Sequence, residues 1–122
     1  MDIALWVAAG ILAAMILFAG LVKAVTPKEK LRLREGMAWT DDVPAGLIRF
    51  VGVAEVLAAV GLILPEALGI LPILTPIAAV GIAITMGGAV VLHLRRGETF
   101  AIVVPLVLMA LAIFVAWGRF AG

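Results

Sequence analysis

The chain alternates four long apolar blocks with three polar connections. The blocks run over about residues 3–25, 45–64, 73–94 and 100–118. Each is roughly 18–23 residues long, against about 20 for a helix that crosses a bilayer. Membrane strands are shorter, about 9–11 residues, and alternate polar with apolar positions, so the pattern predicts four helices. Pro65 is expected to stop the second. Pro76 falls in the first turn of the third, where a missing N–H does little harm. Pro105 lies inside the fourth and is expected to kink it or to loosen its first turns. The first block lacks a basic start and its apolar run is too long for a signal peptide, so it predicts a retained helix.

Composition agrees. Of 122 residues, 66% are hydrophobic and 14% charged, whereas soluble domains average about 45–50% apolar and about 25% charged. A water-soluble fold of this size has too much surface for its volume to hide that much apolar area. The expected class is therefore all-α, an integral membrane antiparallel four-helix bundle forming a single domain over residues 1–122. Cysteine is absent, which removes thiol chemistry, disulfides and sulfur-ligated metals. With one histidine, no protein metal site is expected, and His93 alone is a weak basis for haem ligation. No Ser-His-Asp set, phosphate-binding glycine loop or nucleic-acid surface can be read.

The net charge of +1 says little, but its distribution says more. Of the nine Lys and Arg residues, all except Arg119 lie in or beside the first and third connections. By the positive-inside rule, loops 26–44 and 95–99 are expected in the cytoplasm and both termini outside. Trp6, Trp39 and Trp117 then fall near the interfaces. Thr26-Pro27-Lys28-Glu29 has the spacing of a helix start, with Thr26 as cap and Glu29 reaching back, and Gly36 is placed to end that short helix. Such a basic segment suits anionic headgroups; equally, its charges need do no more than set topology.

Glu55 stands out, a carboxylate near the middle of the second apolar block. At that depth it costs at least a few kcal/mol unless it is protonated, paired or facing a wet cavity. Helical periodicity puts Ile48, Gly52, Glu55 and Ala59 on one face, within about 60° of one another. Arg49 is about 120° round from Glu55 and about 9 Å along the axis, an awkward geometry for a direct bond. On the third helix, Ala79, Ala83, Met86, Val90 and His93 share a face, and Gly81, Thr85 and Gly88 form a small-residue stripe roughly opposite, suited to tight helix packing. Met86 reads equally as a gap-filler. His93 is expected to share a layer with Arg49, Asp41 and Asp42, whereas Glu55 lies roughly 13 Å deeper. A direct Glu55–His93 contact is therefore not expected without a stagger or a bridging group.

Taken in order, Trp39-Thr-Asp-Asp-Val-Pro44, Arg49-Phe-Val-Gly52-Val-Ala-Glu55, Gly61-Leu-Ile-Leu-Pro65, Leu74-Thr-Pro76-Ile-Ala-Ala79, Met86-Gly-Gly-Ala89-Val-Val-Leu-His93 and Arg96-Gly-Glu98 resemble the DoxX-like family of small four-helix membrane proteins. The resemblance spans about residues 39–119. It implies an antiparallel four-helix bundle in a bacterial or archaeal cytoplasmic membrane. The family's name comes from a subunit linked to a terminal quinol oxidase and a thiosulfate:quinone oxidoreductase. The matching positions include Arg49, Gly52, Glu55, Pro65, Met86, Ala89 and His93. With no cysteine pair and no haem-ligand set, a redox role here would need a borrowed cofactor or a partner subunit.

The leading expectation is an accessory or binding subunit without independent catalytic activity. In it, a cleft between the second and third helices holds a quinone- or lipid-like molecule. Glu55 would bond the head, Arg49 and His93 would line the entrance, and Gly52 and Met86 would complete the walls. Two others stand beside it. One is a small proton-coupled transporter using Glu55, similar to the small multidrug resistance exporters, although those carry their glutamate on the first helix. The other is a scaffold in which Glu55 ties two helices together. The expected partners are the lipid bilayer and a second copy or a membrane complex, with no nucleic acid.

Overall fold

The computed structural model describes residues 2–34, 37, 39–40 and 43–121. Four long helices carry the fold: α1 (Asp2–Val25), α3 (Ala45–Leu68), α4 (Leu74–Arg95) and α5 (Val103–Ala121), with a single-turn α2 (Lys28–Leu31) after the first. Each long helix is long and apolar enough to cross a membrane, α5 together with the 3₁₀ turn before it. α1 packs on α3, α3 on α4, α4 on α5, and α5 back on α1, closing a ring of antiparallel neighbours. Small and branched side chains fill the interior, among them Leu12, Ile16, Leu62, Ile82, Ala112 and Val115. Other apolar side chains, such as Phe18, Leu57, Ile84 and Val107, point outward. That arrangement suits lipid, where the outer surface must also be apolar. This is a multi-pass membrane protein.

The proline positions show how the sequence bends to this plan. α3 does not stop at Pro65 but runs on to Leu68. Pro65 has no N–H to give the carbonyl of Gly61, a loss that would ordinarily break a helix. Fully buried Thr75, at the start of α4, donates its Oγ1 hydrogen to that carbonyl at 2.9 Å. The neighbouring helix thus replaces the missing bond, as membrane interiors require. α3 ends at Gly69, whose φ of 68° admits the left-handed turn, with Ile70 N–H bonded to the Pro65 carbonyl at 3.1 Å. Pro76 sits in the first turn of α4, as expected. Pro105 lies in the first turn of α5, and the chain ahead of it, Thr99–Ile102, is a 3₁₀ turn.

At the end where most of the basic residues lie, the short helix differs from expectation. Pro27 occupies the N-cap position of α2 and no side chain caps it, so Thr26 does not do so. The helix closes after Leu31, which is buried. Gly36, expected to end it, lies outside the described residues, as do Asp41 and Asp42.

Candidate functional site

Two glycines bring α1 and α3 into backbone contact. A Cβ added to Gly52 would lie 2.7 Å from both the Gly20 carbonyl oxygen and the Ala24 nitrogen. A Cβ added to Gly20 would lie 2.7 Å from the Gly52 carbonyl oxygen and 2.9 Å from Glu55 Cβ. Side chains on a helix lean toward its N-terminus, so Lys23, one turn beyond Gly20, leans back into the bundle. Its Nζ donates to Glu55 Oε1 at 2.8 Å, with both side chains largely buried. Of the three ways to hold a carboxylate at membrane depth, the fold uses pairing. Glu55 Oε2 is also buried and has no hydrogen-bond partner among the described residues.

Glu55 also lines a cleft of about 240 Å³ between α3 and α4. Ile16, Ile82 and Met86 form its floor, and exposed Phe50, Ala54, Gly81 and Thr85 form its rim. Its walls are otherwise apolar, and it opens sideways where the bilayer would lie. By helix rise, Glu55 is about 15 Å from the start of α3 and Met86 about 13 Å from the end of α4, so the two are level near mid-membrane.

Of the residues singled out in the sequence, Glu55 and Met86 line this cleft, and Gly52 is spent on the contact with α1. Arg49 and His93, expected at the entrance, are not among the residues that line it. Arg49 is exposed and borders a small recess with Lys23, Lys28 and Leu31. The Gly81, Thr85 and Gly88 stripe faces away from the interior of this chain. All three are exposed, added Cβ atoms at Gly81 and Gly88 meet nothing within 4 Å, and Thr85 Oγ1 is bonded to the Gly81 carbonyl at 2.8 Å. Among the described residues, no helix packs on that stripe. Gly81 and Thr85 form the cleft rim instead.

Two further polar clusters lie near the helix ends. At the basic end, His93 Nδ1 is 2.9 Å from Glu98 Oε1, and Arg96 Nε donates to the same oxygen at 3.2 Å. Gly97, with φ 72°, turns the chain so that Glu98 N–H reaches the His93 carbonyl at 2.8 Å. The hydrogen bond with His93, aided by the nearby Arg96 charge, lowers the Glu98 pKa below the usual carboxylate range. At the other end, Arg119 Nη1 donates to Asp2 Oδ1 at 2.7 Å and lies 3.5 Å from Glu66 Oε1, with its guanidinium 5.0 Å from the centre of the Trp6 ring. This joins the ends of α1, α3 and α5. Trp117, expected at an interface, is exposed on α5.

Lys23 is the residue that sequence reasoning missed. It reads as the charge that ends the first apolar block, yet α1 continues past it to Val25. A usable signal was present in the matched spacings Gly20-x-x-Lys23 and Gly52-x-x-Glu55, which place a cation and an anion one turn from two facing glycines. Compared with known proteins, the chain matches the family model described as the DoxX-like family over residues 7–115. No curated protein and no solved structure matches it.

Proposed function

Because the chain belongs to the DoxX-like family, whose name is tied to membrane quinone enzymes, we propose that it is a binding or accessory subunit for an apolar molecule with a polar head, quinone- or lipid-like. The molecule enters from the bilayer between α3 and α4, and its head meets Glu55. One observation carries this reading: Glu55, whose second carboxylate oxygen is buried without a partner among the described residues, lines a cleft whose other buried walls are apolar. A buried acceptor normally finds a donor, and a ligand head supplies one here. Any redox step would belong to a partner subunit, to which this chain would present the bound molecule. The scaffold reading accounts for Lys23–Glu55, but leaves the second oxygen and the cleft unused.

Native mass spectrometry of the full chain released from lipid nanodiscs tests the proposal. An apolar small molecule retained by the wild type and lost in Gly81→Leu is expected. Gly81 lines the cleft, and a Cβ built there meets nothing within 4 Å, so the variant adds bulk at the rim from an open position. A wild type that retains nothing, or a Gly81→Leu variant that retains the same molecule, speaks for the scaffold. Proton-driven flux in proteoliposomes that requires Glu55 speaks for the transporter.

A further inference from the structure

The cleft between α3 and α4 offers a ligand acceptors and no strong donors. Polar atoms reach its lining from two side chains, Glu55 and Thr85, and Met86 adds only a weakly accepting thioether. The Thr85 hydroxyl has one hydrogen, already donated to the Gly81 carbonyl at 2.8 Å, so it has only lone pairs left to offer. A carboxylate held 2.8 Å from an ammonium is acceptor-only, and Glu55 Oε2 is the lone-pair-bearing atom left over. Lys23, whose ammonium would be a donor, is not part of the cleft wall.

We propose that this cleft selects an apolar molecule whose head donates a neutral hydrogen bond, a phenol or alcohol, over the counterpart whose head can only accept. The inference rests on the binding reading above and sharpens it. A quinol-type head fits, while a quinone-type head would bring carbonyl oxygens against a carboxylate oxygen with no hydrogen between them. An amine head is disfavoured because Lys23 already balances the charge of Glu55, and a second cation would be unpaired in a medium where lone charges are costly. Size agrees. A cavity of about 150 Å³ holds benzene, so about 240 Å³ takes a single substituted ring. A longer alkyl tail leaves past Phe50 and Gly81 into the lipid.

The test compares a para-alkylphenol with its methyl ether, which keeps the ring and tail and removes the donor. Each is added to nanodiscs of the full wild-type chain at equal mole fraction in the bilayer, and occupancy is read by native mass spectrometry. Hydrogen bonds to charged groups support a preference for the phenol of roughly tenfold or more. Glu55→Gln, whose amide can turn an N–H toward the cleft, is expected to cut that preference to within about threefold. Thr85→Val, which alters only an exposed rim hydroxyl, is expected to weaken phenol binding without loss of fold. Equal binding of the two probes by the wild type, or preference for the ether, overturns donor selection while leaving the cleft as a binding site. No binding of either probe overturns both.

Discussion

Lys23 and Glu55 meet across two antiparallel helices at 2.8 Å, and they do so because Gly20 and Gly52 let the two backbones touch one turn away. A charge pair inside a bilayer is costly to assemble and more costly to break. Removing one member of a buried pair costs about 3–5 kcal/mol, whereas replacing both with apolar groups of similar volume is often neutral or stabilising. Lys23→Met and Glu55→Leu are therefore each expected to lower the unfolding midpoint in detergent strongly. The double variant should recover most of that loss while failing to retain a ligand. Denaturant titration of the four proteins measures the coupling.

Gly52→Ala is expected to push α1 and α3 apart, because its new methyl group would meet main-chain atoms of Gly20 and Ala24, which cannot rotate away. Overpacking of this kind costs about 1–3 kcal/mol. Gly88→Ala, on a face where a Cβ meets nothing, should instead be neutral, or stabilising by up to about 1 kcal/mol through helix propensity. Thermal unfolding of the two variants under one detergent condition separates these outcomes.

Thr75→Val leaves the part-buried Gly61 carbonyl without its donor at membrane depth, an expected loss of about 1–3 kcal/mol. Pro65→Ala restores an N–H to that carbonyl. The Thr75→Val effect should therefore shrink in the Pro65→Ala background, and a double-mutant cycle on unfolding free energies reads the difference.

Glu98 gives a pH dependence of definite sign. Its folded pKa is lowered, chiefly by the hydrogen bond with His93. Its contribution to stability is therefore complete above the unfolded carboxylate range, near pH 4, and is lost as pH falls through the lower folded value. The stability gap between wild type and Glu98→Gln should be largest near neutral pH and close below that range. In His93→Phe the Glu98 carboxyl should titrate nearer its ordinary value, as followed by carbon NMR of labelled glutamate in micelles.

The bundle was legible in the sequence because lipid demands long apolar helices, and the four blocks match the observed spans within a turn. The exception is Pro65. Its helix persists because a threonine on the next helix repairs the lost bond, a contact no single segment reveals. Glu55 was visible as an anomaly in its own block, but its partner was not, since Lys23 resembles an ordinary terminating charge until two helices are docked. Helical periodicity separated the two faces of α4 but could not say which one turns inward. The small-residue face turned outward, and the face bearing Ala79, Met86 and His93 was buried. His93 found a loop carboxylate three residues beyond the helix end, a partner created by the turn at Gly97.

The most direct measurement is a structure determined in lipid nanodiscs that shows what lies beside Glu55 Oε2. The expected result is non-protein density between α3 and α4, with a polar atom within about 3.2 Å of that oxygen. A cleft closed by the chain's own side chains, or a second copy of the chain supplying the donor, would contradict it.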